Sequence, residues 1–177
     1  KNMELKRIQD AVELEGKKIL LRVDFNVPIE NDEIKESFKI RAVRDTLKYL
    51  INKDVKIALA SHFGRPDGKV DPSLSLKQLE KPVSLILKEK VIFFPDSVGS
   101  RISKALDQLR YGQVLLLENV RFYPEEEQNE ELFSKNMAKN FDIFVNDAFS
   151  VCHRDQASVT GVAKNLPSYA GFWLQKE

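Results

Sequence analysis

Cysteine is almost absent from this 177-residue chain, in which Cys152 is the single example. One cysteine excludes a disulfide within the chain and a cysteine-rich zinc site, and it is compatible with a reducing compartment. No run approaches the ~18 apolar residues that a membrane helix needs, and the first ten residues lack the apolar core of a signal peptide. We therefore expect a cytoplasmic protein with no membrane partner.

An excess of charge of either sign is also missing. The 28 Lys and Arg residues balance 27 Asp and Glu residues, which leaves a formal net charge of +1. Because this balance gives no general attraction to nucleic acid, we expect no nucleic-acid partner, and any anion chemistry must come from a local basic cluster. Hydrophobic residues make up 42% of the chain, as in ordinary globular proteins, and the length suits one domain.

The seven glycines form no nucleotide-binding motif. The chain contains no G-x-G-x-x-G pattern and no Walker-type loop that ends in Lys followed by Ser or Thr. The residues themselves therefore give no reason to expect a nucleotide on this chain, and they show no set of metal ligands.

Five apolar runs rich in β-branched and aromatic residues recur along the chain. Each is nearly continuous in apolar character, which indicates a strand covered by helices on both faces, as in a parallel sheet. The predicted strands are residues 18–24, 55–61, 91–96, 113–119 and 141–147.

Segments with helical spacing lie between or after these strands. The predicted helices are residues 40–51, with Ser37 as the N-cap, and residues 79–87, 102–109, 132–140 and 159–164. We interpret the acidic run Glu125–Glu127 as a solvated helix start and not as a metal site. The alternation of strands and helices predicts an α/β fold, a doubly wound parallel sheet of five or six strands in a Rossmann-like three-layer αβα arrangement.

Basic and polar side chains directly follow four of the five predicted strands. Ligands of open parallel sheets bind beyond the carboxyl ends of the strands, so these side chains should meet at one edge. They are Asp24 and Asn26, His62 and Arg65, Arg121, and His153 and Arg154. Each arginine alone is equally consistent with a surface ion pair, and each histidine with packing, so the inference depends on the whole set. Guanidinium groups pair with phosphate or carboxylate, and Asp and Asn hydrogen-bond hydroxyl groups, which predicts a site for a small hydroxylated anion.

The same residues lie in four segments that resemble motifs of the phosphoglycerate kinase family. The segments are RVDFNVP (22–28), SHFGRPDG (61–68), LLLENVRFYPEEE (115–127) and VNDAFSVCHR (145–154), in family order along the whole chain. The closing NLPSYAGFWLQKE resembles the stretch that leads into the interdomain helix of that family. The resemblance implies that residues 1–177 are the single N-terminal, substrate-binding domain of a two-domain kinase whose nucleotide-binding domain is absent from this chain.

The family transfers phosphate reversibly between ATP and the carboxylate of 3-phosphoglycerate in glycolysis, with Mg²⁺ on the nucleotide. By matching position, the resemblance implies that Asp24 and Asn26 hold the hydroxyl and carboxylate end of the substrate. The residues implied to grip its 3-phosphate are His62, Arg65, Arg121 and Arg154. Arg22 is expected to be mainly structural.

The resemblance also implies the partners. We expect 3-phosphoglycerate and the chain's own C-terminal nucleotide-binding domain, which would bind Mg-ATP, as partners of a monomer with no cofactor on this chain. The chain alone should bind the acid weakly and have no kinase activity.

Lys39 departs from the family pattern. Most of the family has an arginine there to steady the group being transferred, whereas this chain reads KIRA from Lys39 onward. We assign Lys39 as the catalytic residue and as a substrate-binding residue. Lysine keeps the positive charge but lacks the planar, two-pronged guanidinium group of arginine. Arg41 cannot take its place, because it lies about 200° further around a helix. We therefore expect the full-length enzyme either to turn over more slowly or to have an active-site geometry adjusted to a lysine. Gln156 is a second departure, where family members often have histidine.

Two other functions are consistent with the residues. The first is a stand-alone module, regulatory or sensory, that binds a phosphorylated acid. The second is a nucleotide-binding Rossmann-like domain of another enzyme, which the missing glycine fingerprint disfavours. Parallel titrations with 3-phosphoglycerate and ATP separate the three, whereas the fold alone does not.

Overall fold

The computed structural model describes residues 5–177, which contain a seven-stranded sheet with every pair of neighbouring strands parallel. Its strands are β1 Lys6–Arg7, β2 Lys18–Arg22, β5 Lys56–Ala60, β6 Lys90–Phe94, β7 Gln113–Leu117, β8 Ile143–Asn146 and β9 Ser168–Ala170, in the order β1-β9-β8-β2-β5-β7-β6. A separate antiparallel pair consists of β3 Ile29–Glu30 and β4 Glu33–Ile34.

The predicted parallel α/β fold is confirmed, and all five predicted strands are present within two residues of their predicted bounds. The two strands of this sheet that the sequence did not indicate are β1 and β9, which are two and three residues long. They are too short to show a continuous apolar run, and both Lys6 and Arg7 are exposed. They are strands because β1 pairs with β9, and β9 pairs with β8 on its other side.

Seven short α-helices accompany the sheet within residues 5–177. They are α1 Phe38–Arg41, α2 Arg44–Ile51, α3 Glu80–Leu87, α4 Arg101–Asp107, α5 Pro124–Glu127, α6 Glu131–Ala138 and α7 Phe172–Lys176. Within residues 5–177, no helix is long and apolar enough to cross a membrane.

Two hydrophobic cores lie on opposite faces of the sheet, as the three-layer prediction requires. Leu21 of β2 belongs to the core that α2, α3 and α7 cover, whereas the neighbouring Leu20 belongs to the core covered by α4 and α6. Consecutive residues of a strand point to opposite faces, so β2 contributes to both cores. This burial on both faces explains the continuous apolar runs of the central strands.

The helix predicted over residues 40–51 is divided in two. The backbone N–H of Val43 donates to Ile40 O at 3.3 Å, a tighter i→i−3 bond that separates α1 from α2 while both side chains stay fully buried. Ser37 occupies the N-cap position of α1 as predicted, but its hydroxyl accepts a hydrogen bond from Arg41 Nε at 3.1 Å and caps no backbone N–H.

The segment predicted as a helix at 159–164 begins instead as a wide π-type turn, Ala157–Gly161. Gly161 lies so close to α6 that an added Cβ would come within 2.1 Å of Ser134 Oγ. Glycine at this position therefore permits the close contact between the turn and α6.

Candidate anion-binding site

A cavity of about 490 Å³ lies where the chain leaves the carboxyl ends of β2, β5, β7 and β8. All seven side chains that the sequence assigned to a site line it: Asp24, Asn26, Lys39, His62, Arg65, Arg121 and Arg154. His153, expected at the same edge, is exposed and is not part of the lining. The parallel topology thus gathers side chains from four separate connections around one space.

Asp24 is the buried anion of the cavity, with 0% of its surface exposed. Its Oδ1 accepts from the backbone N–H of Asn26 at 3.0 Å, and its Oδ2 accepts from the Ser150 hydroxyl and from Lys39 Nζ at 3.1 Å. Burial alone would favour the neutral acid, but the hydrogen bonds from Ser150 and Asn26, together with the electrostatic effects of His62 and Lys39, outweigh it and hold the pKa of Asp24 below its usual range. The carboxylate is therefore ionised at neutral pH and can accept a hydrogen bond from a ligand hydroxyl.

Asn26 and Lys39 connect the loop after β2 to its neighbours. Asn26 Oδ1 accepts from the backbone N–H of Gly64 at 3.0 Å, which joins the loops that follow β2 and β5. Lys39 Nζ also donates to Asn26 O at 3.3 Å, while 40% of the Lys39 side chain stays exposed. The ammonium group is thus held at the cavity and still accessible to a ligand.

His62 lies at the buried end of the site, with 4% of its surface exposed. Its Nδ1 is 3.0 Å from Arg22 Nη2, and its Nε2 is 4.0 Å from Asp24 Oδ1. Burial, followed by the positive charges of Arg22 and Arg121, lowers the pKa of His62 to about 2. The imidazole is therefore neutral at physiological pH, and it adds hydrogen-bonding capacity but no charge to the site.

Three arginines add to the positive charge that Lys39 brings to the cavity. Arg65 and Arg154 are exposed, and within residues 5–177 neither makes an ion pair shorter than 4.0 Å. Arg121 is 8% exposed, donates to Gly64 O at 3.3 Å and lies 3.5 Å from Glu127 Oε1. Burial lowers the pKa of Arg121, and the nearby charges of Arg154 and Arg65 lower it further against the opposing effect of Glu127. The three guanidinium groups thus repel one another.

Five residues of the lining were not predicted from the sequence: Gly64, Asp67, Glu127, Ser150 and Val151. All five lie inside the quoted motif segments at 61–68, 115–127 and 145–154, so their proximity to the predicted site residues was the available signal. Ser150 could have been chosen as a hydroxyl donor, but its partner Asp24 is 126 residues away.

The acidic run Glu125–Glu127 begins a helix as predicted, but it is not solvated throughout. Glu126 is 0% exposed and accepts hydrogen bonds from Ser158. A buried glutamate within an acidic run has no local sequence signature, because its partner comes from the turn after β8. Within residues 5–177, no group of three or more His, Cys, Asp or Glu residues is placed to hold a metal ion.

Comparisons with known proteins agree with these observations. A family model described as phosphoglycerate kinase matches residues 8–177. The chain is 47% identical over 176 residues to the phosphoglycerate kinase of Coprothermobacter proteolyticus, covering 99% of this chain and 44% of that protein. It is 50% identical over 170 residues to that of Prochlorococcus marinus, covering 95% and 42%. The chain therefore spans less than half the length of the curated relatives that it matches.

Solved structures give the same result. The crystal structure of phosphoglycerate kinase from Pyrococcus horikoshii superimposes with a TM-score of 0.85 at 30% sequence identity, covering 97% of this chain and 44% of that one. The enzyme from Coxiella burnetii gives a TM-score of 0.84 at 32% identity, covering 98% and 43%.

Proposed function

The chain belongs to the phosphoglycerate kinase family, and on that premise we propose that its cavity binds 3-phosphoglycerate as the acid substrate of a reversible phosphoryl transfer with ATP. One observation carries this proposal. Side chains from four separate strand ends, at the positions that match the family motifs, surround a single cavity.

The distribution of charge suits a phosphorylated hydroxy acid. Arg65, Arg121 and Arg154 form a basic cluster that an incoming phosphate group would neutralise, and guanidinium forks match phosphate oxygens geometrically. Asp24 and Asn26 offer an ionised carboxylate and an amide for the hydroxyl and carboxylate end. Lys39, beside Asp24, places a positive charge near the carboxylate that would receive the phosphoryl group.

Phosphoryl transfer depends on positioning and on stabilisation of charge, with little covalent work by side chains. In this proposal the chain positions the acceptor, and a C-terminal nucleotide-binding domain supplies Mg-ATP and closes over it to exclude water. The chain alone therefore binds the acid and does not turn it over. Supporting this division, its seven glycines form no nucleotide motif.

Calorimetric titrations of the chain with 3-phosphoglycerate and with ATP test the proposal. We expect saturable binding of the acid and none of ATP at equal concentration. Arg65→Ala and Arg154→Ala should each weaken binding of the acid by roughly 10- to 100-fold, the usual effect of losing hydrogen bonds to a charged group. The matched control is Arg110→Ala, which removes an exposed arginine near the amino end of β7 and should change nothing.

A preference for ATP would contradict this function in favour of a nucleotide-binding domain. Equal affinity for unrelated phosphorylated acids would instead favour a stand-alone anion-binding module. Kinase turnover by the purified chain would overturn the proposed division of work between two domains.

A further inference from the structure

A buried series of polar side chains runs behind the cavity from Glu126 to His62. Glu126 accepts from the backbone N–H of Ser158 at 2.9 Å and from the Ser158 hydroxyl. Ser158 Oγ accepts from Arg22 Nε at 2.9 Å, and Arg22 Nη2 lies 3.0 Å from His62 Nδ1. Glu126, Ser158 and Arg22 are each 0% exposed, and none of them lines the cavity. Only His62 connects the series to the site.

The direction of each hydrogen bond follows from the chemistry of the groups. A guanidinium group has donors and no acceptor, so His62 Nδ1 must accept from Arg22. A neutral imidazole that accepts at Nδ1 carries its proton at Nε2, which here faces Asp24 across 4.0 Å. Ser158 gives its single hydroxyl proton to Glu126 and keeps a lone pair for Arg22 Nε.

A buried arginine needs a compensating charge, and the series offers the Glu126 carboxyl group, whose pKa burial raises while the Arg22 charge and the hydrogen bonds from Ser158 oppose this effect. Burial lowers the pKa of Arg22 to about 10, while the charges of Glu126 and Asp24 oppose this effect, so that Arg22 remains charged at neutral pH. Removing the counter-charge would leave an uncompensated cation in the interior, which is costly. Arg22 Nη1 also donates to Val23 O and, at 3.5 Å, to Ala60 O, so Glu126 and Ser158 hold the Nε side of the guanidinium group while the backbone holds Nη1.

We propose that Glu126 and Ser158 are positioning residues that hold Arg22 against His62 and thereby fix His62 as the neutral Nε2–H tautomer. In this form His62 offers the ligand a hydrogen-bond donor in place of a second charge. The role toward 3-phosphoglycerate rests on the proposed function, whereas the tautomer is a property of the chain alone.

The charged groups around His62 favour the same state. Arg22 and Arg121 face it from the sheet and from the connection after β7, Lys39 faces it from α1, and Asp24 is the one carboxylate beside it. Protonation of Nδ1 would place an N–H against the Arg22 N–H at 3.0 Å. We therefore expect the His62 ring to stay neutral throughout the physiological pH range.

Nitrogen-15 NMR of the imidazole rings tests the tautomer without any ligand. The chain has two histidines, and His153→Gln assigns their signals. In the unaltered chain, the His62 signals should show the Nε2–H form unchanged between about pH 5.5 and 8. In Ser158→Ala and in Glu126→Gln, these signals should shift toward a mixture of tautomers, and 3-phosphoglycerate should bind about three- to tenfold more weakly.

Ser134→Ala is the matched control, because Ser134 is also buried but its hydroxyl donates only to the backbone O of Glu130, at 3.0 Å. It should change neither the His62 signals nor the affinity. Ser158→Ala leaves the Glu126 carboxyl group in place, so it provides the second variant if Glu126→Gln, which removes that group's charge beside the buried Arg22, fails to fold.

A proton on Nδ1, or a His62 ring that becomes charged in this pH range, would overturn the inference. So would unchanged His62 signals in both folded variants. If the chain shows the expected tautomer and shifts but binds no 3-phosphoglycerate, the proposed function fails while the assignment of Glu126 and Ser158 stands.

Discussion

At the scale of single residues, Lys39 stands where the resemblance to the family predicts an arginine. Its Nζ contacts Asp24 at 3.1 Å, whereas the Arg41 guanidinium group is directed at Ser37 and is not part of the cavity lining. Arg41 thus supplies no guanidinium group to the cavity. In a two-domain kinase that contains this chain, Lys39→Arg should raise kcat on the order of 10²-fold, because the planar fork can bind the migrating phosphoryl group at two points.

Steady-state kinetics of that enzyme measure the effect. Arg41→Lys is the control. It also exchanges arginine and lysine, but at a position two residues further along α1 and outside the cavity lining, so it should leave kcat unchanged. Equal kcat values for the unaltered enzyme and its Lys39→Arg variant would mean that the cavity already compensates for the lysine, and the prediction would fail.

Much of this site could be predicted from single residues because parallel strands place their carboxyl ends at one edge. Asp24, His62, Arg121 and Arg154 each follow a different strand, and the topology alone brings them together. Their protonation and pairing could not be predicted. The low pKa of His62 depends on burial and on Arg22, which lies 40 residues away and pairs with it only in the folded chain.

At the scale of elements, the attachment of α7 depends on Asp147, which follows β8. Asp147 is 0% exposed, and its Oδ1 accepts from the backbone N–H of Leu174 at 2.9 Å, while its Oδ2 has no hydrogen-bond partner in residues 5–177. Burial raises the pKa of Asp147 and outweighs the opposing hydrogen bond from Leu174. The folded chain therefore holds this proton more tightly than the unfolded chain does.

This difference in pKa between the folded and unfolded chain determines whether Asp147 stabilises the fold more or less as pH rises. As pH rises from about 4, the unfolded carboxyl ionises first, so the contribution of Asp147 to the free energy of unfolding falls until the pH passes the folded pKa. Asp147→Asn cannot ionise, and its stability relative to the unaltered chain should increase across this range. Urea unfolding at several pH values measures the difference, with the exposed Asp155→Asn as control. A difference that is constant with pH would contradict the assignment.

The elements also show which part of the fold the sequence specifies locally. The central strands β2, β5, β7 and β8 are buried on both faces, so their apolar runs identify them. By contrast, β1 and β9 are strands only because they pair with neighbouring strands. The break between α1 and α2 likewise contains no glycine or proline from which it could have been predicted. Local composition carries no information about contacts of this kind.

At the scale of the whole molecule, the net charge is only +1, whereas the cavity concentrates three arginines in one place. The formal charge offers little attraction for an anion at long range, so affinity must come from Arg65, Arg121 and Arg154 at short range. These like charges repel one another in the unliganded chain, and a bound phosphate group would relieve that repulsion. Ligand binding and fold stability are therefore coupled through the same cavity.

The coupling predicts a thermal shift specific to the acid. A ligand that binds only the folded chain, present at 100 times its Kd, adds about 2.7 kcal/mol to the free energy of unfolding, which corresponds to roughly 5 to 10 °C in Tm for a chain of this size. We expect 3-phosphoglycerate to produce this shift in a calorimetric scan and Mg-ATP to produce none. Arg154→Ala should reduce the shift at the same ligand concentration, whereas Arg110→Ala should preserve it. An equal shift with sulfate at matched ionic strength would show that the cavity responds to any anion, because the contacts of Asp24 and Asn26 with the acid would then add no affinity.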